Sequence, residues 1–319
     1  MVASNYTSQI TADSKLNVTK DTIGRLFTNT YKGKTDRQLK RFTIYHDLRG
    51  RLGNVMSQTA SLYGITRFTN RSLVLAAPQN YLRNVKHIFP KLPVPIIQPN
   101  DFIQRTKNLK YVSENDLKDL YTDLLALPKE DIRLCCYFQK YKYFVKFEKE
   151  VRDVLQFNAG IQSGAAQNIK SVLAEKKIAN RANATVVCLH VRRGDFVTER
   201  HYQLPGPSFY KNATDYLKSR YANTVFIAFS DDRKWSQTNL GPFGVQLSHG
   251  KSPMEDMATF SLCDHAVISL GSFSWWAGYL TKGEVIYYVN SKSVPKGAKI
   301  WQIRNSEHIP SHWTPMTDL

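Results

Sequence analysis

The sequence predicts an α/β protein built on parallel sheets, and three observations support that prediction. Short apolar runs rich in β-branched residues alternate with helical patterns along the chain. The 319 residues are enough for two domains of ordinary size, each with its own core. Hydrophobic residues make up 42% of the chain, which is typical of a globular protein.

The first half begins with a polar segment and continues into one β–α–β unit. Residues 1–38 are rich in Ser, Thr, Asn and Lys, and we predict a flexible stem there. A strand is predicted at 41–45, a glycine-rich turn at 50–54, a helix at 56–65 and a buried strand at 72–76. This order places two strands side by side in a parallel sheet.

The middle of the chain is less regular. Residues 78–110 contain five prolines and predict loops around short elements. From Tyr137 to Val154, aromatic and β-branched residues recur at spacings of three and four, with basic residues between them. The helical spacing favours an amphipathic helix over an RNA-binding surface.

Strands and helices alternate more regularly in the second half. Buried strands are predicted at 186–191, 224–229, 245–247, 266–270 and 285–289. Ser252, Pro253 and Glu255 predict a capping box at a helix start. Residues 271–274 predict the turn before a helix at 275–280. We therefore predict a doubly wound parallel sheet here and two domains in all, at 39–165 and 166–319.

The net charge of the chain and its glycosylation sequons indicate which partners it binds and in which cellular compartment it lies. The net charge is +18, but Lys and Arg form no run of five or six, which favours a local anion site over a nucleic-acid groove. The sequence contains no stretch of 18 apolar residues and so predicts no membrane span. Five sequons predict a secretory compartment, with a targeting segment ahead of residue 1. The sequons lie at Asn5, Asn17, Asn70, Asn183 and Asn212.

The four cysteines make no dense disulfide framework. Cys188 lies in an apolar strand and Cys263 ends a helix, so both are predicted to be buried thiols. Cys135 and Cys136 are adjacent, and we do not expect them to bond to each other.

A cluster of charged residues ends the strand at 186–191. It contains His190, Arg192, Arg193 and Asp195. Ligands of open α/β sheets bind beyond the carboxyl ends of the strands. Two arginines there suit a diphosphate, because a guanidinium is always charged and offers bidentate donors. The alternative is a surface turn with solvated charges.

Two further features belong to the same predicted sheet edge. Gly271–Ser274 is predicted at the start of a helix. The backbone N–H groups there either form an anion site, together with the serine hydroxyls, or are satisfied by helix capping alone. Asp256 is able to accept two N–H bonds from a guanine edge, or else complements a helix dipole. Together with the arginines, these features predict a nucleotide diphosphate site.

Several ligand motifs are missing from the sequence. It contains no GxGxxG after its strands and no GxxxxGK[ST], which excludes the usual dinucleotide and P-loop sites. It also contains no Asp-x-Asp, the usual metal bridge for nucleotide-sugar diphosphates. Asp231 and Asp232 are adjacent, which is more typical of a helix N-cap than of a metal site. We therefore expect no metal, and arginine must neutralise the diphosphate.

Four blocks of the sequence resemble, in order, the motifs of the GDP-fucose-dependent α1,2-fucosyltransferases (glycosyltransferase family 11-like). The blocks are Gly50–Asn54, His190–Asp195, Phe229–Asp232 and Gly271–Trp276. The resemblance covers residues 41–290. It departs from the family at Val55 and Phe196, where the family usually has glutamine and tyrosine.

The resemblance implies a GT-B-type fold, in which two Rossmann-like domains face each other across a cleft. The C-terminal half would hold GDP-fucose and the N-terminal half the acceptor. The implied reaction is an inverting transfer of L-fucose to the 2-hydroxyl of a galactose-type glycan, without metal or cofactor. Alternatives are an α1,6- or protein O-fucosyltransferase of the same superfamily, and a non-catalytic nucleotide- or sugar-binding module. The implied location is the Golgi lumen, as part of a type II membrane glycoprotein.

The resemblance also implies roles for individual residues. Arg192 would bind the β-phosphate, and Asn54 would reach into the cleft from the other domain. The other implied donor-binding residues are His190 and Asp256 for the guanosine, and Ser272, Phe273 and Ser274 for the pyrophosphate. Further candidates for binding GDP-fucose are Arg193, Asp231 and Asp232. Arg193 is equally suited to pair with Asp195.

A base is also needed to take the proton of the acceptor hydroxyl. Three residues at or after the arginine cluster remain open for that role: Asp195, Glu199 and His201.

Overall fold

The computed structural model describes residues 41–78, 80, 82–118, 120–199, 202–290 and 307–318. Phe42–Leu319 is one compact unit. Its strands are β1 Thr43–Asp47, β2 Ser72–Ala76, β3 Ile96–Ile97, β4 Lys110–Ser113, β5 Ile132–Cys135, β6 Thr185–Val191, β7 Thr224–Ser230, β8 Val245–Leu247, β9 His265–Ile268, β10 Val285–Tyr288 and β11 Thr314–Met316. Its helices are α1 Leu52–Thr69, α2 Val85–Ile88, α3 Pro99–Thr106, α4 Leu120–Leu125, α5 Glu148–Val154, α6 Ala159–Glu175, α7 Pro207–Arg220, α8 Arg233–Leu240, α9 Pro253–Phe260 and α10 Gly271–Leu280.

The strands form two parallel sheets. The first has the order β3-β2-β1-β5-β4, and the second has the order β11-β10-β9-β6-β7-β8. All strand pairs are parallel. Six of the seven residues of β6 are buried, which its apolar sequence requires for a strand covered on both faces. The predicted α/β class and the GT-B-type arrangement are confirmed.

Each sheet has one place where the strand order reverses. In the first sheet β1 has β2 on one side and β5 on the other, and in the second sheet β6 lies between β7 and β9. Crevices at such reversals, beyond the carboxyl ends of the strands, are where open α/β sheets bind ligands. The fold therefore offers two crevices, one at the ends of β1 and β5 and the other at the ends of β6 and β9.

Helices α1 and α10 join the two sheets by packing against each other. Gly53 in the first turn of α1 meets the backbone of α10, where a Cβ would lie 2.6 Å from the backbone nitrogen of Phe273. A side chain at this position would push the helices apart. One turn further on, Trp276 Nε1 donates to Ser57 Oγ at 2.8 Å in the buried interior.

The predicted amphipathic helix over 137–154 is wrong for most of its length. Helix α5 covers only Glu148–Val154, and two 3₁₀ turns, Tyr141–Tyr143 and Val145–Phe147, precede it. The aromatic spacing arises because these turns pack against α1 and α10. For example, the Phe144 ring stacks on Trp276 with 5.8 Å between ring centroids.

Cys188 and Cys263 form a disulfide, so the prediction of two buried thiols is wrong. Their Cα atoms are 6.0 Å apart, because the loop after α9 returns to the middle of β6. Cys135 and Cys136 are free thiols, as the sequence predicted.

Two smaller predictions are corrected in detail. Ser252 caps α9 by accepting from the Glu255 backbone, but the Glu255 carboxylate accepts from the Lys251 backbone, so the capping box is only half formed. The predicted turn at 271–274 is the first turn of α10 itself.

The predicted domain boundary and several other predictions can be located on the fold. The boundary between residues 165 and 166 falls inside α6, which packs against α9 of the second sheet. Asn70 and Asn183 are exposed, and Asn212 is half-buried. The predicted stem 1–38, with Asn5 and Asn17, lies outside the described residues, as does His201. Across the described part of the chain, no helix combines the length and the apolar character that crossing a membrane requires.

Candidate active site

A cleft of about 850 Å³ lies at the carboxyl ends of both sheets. Its lining residues come from all four sequence blocks, from the segment after β5, and from the segment that joins β8 to α9. The first and the last block are separated by more than 200 residues in the chain, and the two sheets bring all four together at one place. The predicted convergence at a strand edge is therefore present in the structure.

Arg192 lies in the wall of this cleft with 16% of its side chain exposed. Its guanidinium contacts the carboxylates of Asp195 and Asp231. Phe196 covers the guanidinium at 4.6 Å, and Ser269 Oγ accepts from the Arg192 backbone at 2.9 Å. These contacts fix a positive charge at the end of β6.

Arg193 points away from the cleft. Its Nε donates to Asp232 at 3.1 Å, and its guanidinium lies 4.1 Å from the centroid of the Trp235 ring. Asp232 in turn caps α8 by accepting from the Trp235 backbone at 3.0 Å. Neither Arg193 nor Asp232 lines the cleft, so the geometry gives both a structural role rather than the predicted contact with a ligand. The expected pairing of Arg193 with Asp195 is also not formed; Asp195 pairs with Arg192 and Arg51.

Asp195 and Glu199 differ in their access to the cleft. Asp195 lines it, and the Asp195 carboxylate lies 3.4 Å from the Arg51 guanidinium, which comes from the first sheet's side. Glu199 is exposed and does not line the cleft. Of these two candidate bases, the geometry favours Asp195.

His190 is buried at the end of β6, with 7% of the residue exposed. Its Nδ1 lies 2.5 Å from Ser274 Oγ, and its ring stacks on Phe273 at 4.7 Å. Burial, together with the charge of Arg192, lowers the pKa of His190 to about 3, so the ring is neutral at ordinary pH.

Ser274 is 1% exposed and lies behind His190. Besides His190, its hydroxyl contacts Ser269 Oγ at 3.0 Å. Ser274 therefore orients the imidazole and does not reach the cleft surface, which corrects its predicted contact with a pyrophosphate.

Asp256 lines the cleft together with Gly250–Pro253. Its Oδ1 accepts from Ser248 Oγ at 3.0 Å. Burial raises the pKa of Asp256 to about 6, although the hydrogen bond from Ser248 acts in the other direction. Ser248 thus holds one oxygen of the Asp256 carboxylate in place, while Asp256 lines the cleft.

Helices α1 and α10 both begin at the cleft, and neither has a side-chain cap from the described residues. Their first-turn N–H groups therefore point at the cleft without an intrahelical acceptor. The positive ends of two helix dipoles meet there, which favours an anion.

Asn54 bridges the two halves at this point. Its Oδ1 accepts from Ser272 Oγ and from Gln139 Nε2, both at 2.7 Å. Since the amide oxygen faces two donors, the Nδ2 group is oriented away from them. Ser272 uses its hydroxyl hydrogen in this bridge, so it keeps its lone pairs and its backbone N–H for other partners.

Several residues of the cleft were not assigned roles from the sequence, among them Tyr137, Gln139, Arg51 and Arg233. Gln139 and Tyr137 lie in a segment that was predicted as helix, and their placement depends on contacts with distant residues. Arg51 lies within the block Gly50–Asn54, and Arg233 directly follows Asp232. Their positive charge was the signal in the sequence that could have identified them as anion-binding candidates.

No group of three or more His, Cys, Asp or Glu side chains able to hold a metal occurs among the residues that the structure describes. The expectation of a metal-independent reaction stays a prediction.

Known proteins resemble this chain in sequence and in fold. It matches "Glycosyl transferase family 11" over residues 14–302. A galactoside 2-alpha-L-fucosyltransferase of Bos taurus is 26% identical over 260 residues, which cover 78% of this chain and 67% of that protein. A putative galactoside 2-alpha-L-fucosyltransferase of Caenorhabditis elegans is 28% identical over 295 residues, covering 83% and 76%.

Among solved structures, the fold is similar to that of the fucosyltransferase NodZ from Bradyrhizobium, with a TM-score of 0.50. The two are 13% identical over 76% of this chain and 94% of that chain, so this likeness concerns the fold alone. The family match, in contrast, spans most of the sequence, including every block that lines the cleft. The chain therefore belongs to glycosyltransferase family 11, the family of the galactoside α1,2-fucosyltransferases, and is a glycosyltransferase.

Proposed function

We propose that the protein transfers L-fucose from GDP-β-L-fucose to the 2-hydroxyl of a galactose-type acceptor on a glycan, with inversion and without a metal ion. The observation that carries this proposal is the position of Arg192, whose guanidinium lies in the cleft onto which the uncapped start of α10 also opens. The names of the relatives from Bos taurus and Caenorhabditis elegans support the sugar and the linkage.

Departure of GDP builds negative charge on a β-phosphate oxygen while the fucosyl carbon becomes cationic. A fixed guanidinium and the uncapped start of α10 stabilise that charge in the transition state. Because these groups are held in place before the reaction, little reorganisation accompanies it. Arg192 must exchange its two carboxylate partners for the diphosphate when the donor binds.

The guanine end of the donor is assigned to Asp256. A guanine edge presents two N–H donors, which an ionised carboxylate accepts together. His190 is neutral and buried, so in this proposal it is a packing and hydrogen-bonding group for the nucleoside and not a proton donor. Its orientation depends on Ser274.

The acceptor hydroxyl attacks from the side of the first sheet, opposite to the departing GDP. Asp195 is the proposed base, since it lines the cleft and is released from Arg192 when the diphosphate takes that cation. Asn54, whose side-chain oxygen is held by Ser272 and Gln139, is the proposed contact from the first sheet's side of the cleft.

We also propose a luminal location in the Golgi. The disulfide Cys188–Cys263 supports an oxidising compartment. The exposed sequon residues Asn70 and Asn183 are accessible for glycosylation.

The test is the paired substitution of the two neighbouring arginines. Arg192→Ala should lower kcat with GDP-fucose about 100- to 1000-fold, as loss of one transition-state donor does, without loss of folding by circular dichroism. Arg193→Ala, which breaks the pair with Asp232 outside the cleft, should mainly lower stability and reduce kcat less. Near-normal turnover of the Arg192 variant would refute the donor site.

Product analysis then tests the chemistry. Transfer to phenyl β-D-galactoside should give an α1,2-linked disaccharide by nuclear magnetic resonance. An α1,6 linkage or transfer to a peptide hydroxyl would replace the proposed acceptor by that of another superfamily member. Binding of GDP by calorimetry without turnover of GDP-fucose on any acceptor would identify a non-catalytic module.

A further inference from the structure

Two adjacent cysteines, which we call the vicinal pair, lie at the carboxyl end of β5. Cys135 is the last residue of the strand and Cys136 follows it, and their Sγ atoms are 2.6 Å apart. Successive side chains of a strand point to opposite faces of its sheet, so a regular strand would keep these two sulfur atoms apart. Their contact therefore depends on how the chain leaves the strand.

The backbone at Cys136 leaves the extended conformation. Its φ is 92°, in the left-handed region that non-glycine residues rarely adopt. Phe138, two residues further on, has a φ of 46°, and its backbone N–H donates to the Glu114 carboxylate at 2.7 Å. The same carboxylate accepts from the Tyr143 hydroxyl at 3.2 Å. Glu114 thus holds the turn after β5, and this turn brings both sulfur atoms to one side of the chain.

The two thiols have different surroundings. Cys135 is 4% exposed, and burial together with the neighbouring Cys136 raises the pKa of its thiol. Cys136 is half-buried, and burial acts on the pKa of its thiol in the same direction. Hydrogen bonds to its sulfur, from Cys135, Ser113 and the Glu114 backbone, outweigh burial and lower that pKa. Cys136 is therefore the better nucleophile of the two, because the thiolate and not the thiol attacks.

Such a pair is suited to thiol–disulfide exchange. The Cys136 thiolate attacks one sulfur of a small disulfide RSSR, which forms a mixed disulfide and releases RS⁻. The Cys135 thiol then loses its proton, and its sulfur attacks Cys136 Sγ, which closes a ring and releases the second RS⁻. The two protons that the cysteines give up end on the two RS⁻ groups. The cysteines thereby lose two electrons, and RSSR is reduced to two RSH.

The adjacency of the two cysteines makes the new bond easy to reduce. Cα atoms joined by a trans peptide bond are about 3.8 Å apart, closer than the roughly 4.4–6.8 Å at which disulfides ordinarily form. Departure from the ordinary spacing makes a disulfide more reducible. The pair Cys188–Cys263, in contrast, is buried and has a Cα spacing of 6.0 Å. The chain thus combines a structural disulfide with a pair suited to reversible exchange.

We propose that the vicinal pair is a reversible modification site, at which small disulfides such as oxidised glutathione form a bond between Cys135 and Cys136. Closing the ring changes the backbone at Cys136, and the next residue, Tyr137, lines the cleft. The ratio of small disulfides to thiols then alters the wall of the cleft. This consequence for fucose transfer rests on the proposed function, whereas the modification itself does not.

Mass spectrometry of one peptide tests the modification. Trypsin cleaves after Arg133 and after Lys140, and the peptide Leu134–Lys140 contains the vicinal pair and no other cysteine. The native full chain is treated with oxidised glutathione, and the remaining thiols are blocked with iodoacetamide. The peptide should then carry no alkyl group and weigh two hydrogen atoms less than its reduced form. A peptide that is still alkylated or that retains glutathione would overturn the proposal.

Reduction of the treated protein tests reversibility. Dithiothreitol at a concentration that leaves Cys188–Cys263 intact should restore two alkylatable thiols in the peptide. Simultaneous reduction of both disulfides would contradict the difference between the two pairs.

Two variants separate the roles of the sulfur atoms. Cys135→Ser keeps the nucleophile and removes the thiol that closes the ring, so the peptide should accumulate one glutathione. Cys136→Ser keeps only the buried thiol and should stay unmodified. Circular dichroism checks the fold of both variants, and the wild-type result stands without them. Equal glutathione adducts in both variants would overturn the assignment of Cys136 as the attacking thiol.

A synthetic peptide with the sequence of Leu134–Lys140 is the matched control for the geometry. It contains the vicinal pair without Glu114 and the turn that Glu114 holds. It should close the ring more slowly than the protein, because nothing keeps its sulfur atoms on one side of the chain. Equal or faster closure in the peptide would overturn the role of the fold.

Fucose transfer to phenyl β-D-galactoside tests the consequence for the cleft. Oxidation of the wild type should lower kcat/KM about tenfold, because small displacements of cleft residues have effects of this size. Cys136→Ser should show the same kcat/KM before and after treatment. Equal transfer by both states of the wild type would reject the link to the cleft. If the wild type transfers no fucose in either state, the proposed function fails and this link with it, while the mass of the peptide still decides the modification.

Discussion

The two crevices of the fold differ in how their charged groups are partnered. At the ends of β6 and β9, Arg192 is bound by two carboxylates, and a disulfide ties β6 to the loop before β9. At the ends of β1 and β5, Tyr137 is 47% exposed, and the exposed Lys118 has no ion-pair partner among the described residues. In the proposed function the first arrangement suits a site that stabilises developing charge, because such a site needs groups that are held in place before the reaction.

The largest expected effect concerns the covalent link on the donor side. Cys263→Ala opens a disulfide with a sequence separation of 75 residues, which should lower the free energy of unfolding by about 4 kcal/mol. Urea denaturation without reductant measures this change. The matched control is Cys136→Ala on the acceptor side, where the thiol is free. Equal losses in both variants would remove the proposed difference in rigidity.

The next effect concerns the bridge between the crevices. Asn54→Ala removes two hydrogen bonds that join Ser272 to Gln139, and we expect kcat to fall about 10- to 100-fold, equivalent to 1–3 kcal/mol. Ser57→Ala removes a hydrogen bond between the same two helices, to Trp276, but away from the cleft. It should lower the melting temperature and leave kcat near that of the wild type. If the two variants lose activity equally, Asn54 acts only by joining the halves.

The smallest effect is a pH dependence that belongs to the donor side alone. Asp256 has a pKa of about 6 in the folded protein, above its value of 3.8 in an unperturbed chain. Only its ionised form accepts both guanine donors, so KM for GDP-fucose should rise about tenfold between pH 7 and pH 5, as protonation removes that form. KM for the acceptor should not follow this curve.

The pH dependence of protein stability runs in the opposite direction to that of donor binding. Because the folded state holds the proton of Asp256 more tightly than the unfolded chain, its contribution to stability is present below pH 4 and is lost as the pH rises through 6. Asp256→Asn should abolish both dependences and weaken GDP binding at pH 7. A donor KM that stays flat from pH 7 to pH 5 in the wild type would contradict the assignment to guanine.

Most of the fold and of the donor side could be predicted from the sequence, because the signals are local. Strand β6 and its cluster are contiguous, so the strand places His190 and Arg192 at its end. The sequence could not predict the path of residues 137–147, since the aromatic spacing from Tyr137 onward is shared by a helix and by turns packed between two helices. The disulfide and the pairing of Arg192 with Asp231 link distant parts of the chain and carry no local signal.

The pairing of Arg192 with Asp195 and Asp231 has a consequence for which anions the empty enzyme binds. An unpaired guanidinium would hold inorganic phosphate from solution, whereas this one releases its carboxylates only to an anion that offers more. In the proposed function, a diphosphate that also reaches the start of α10 offers more contacts than a single phosphate. We therefore expect the two carboxylates to lower the affinity of this site for inorganic phosphate more than its affinity for GDP-fucose.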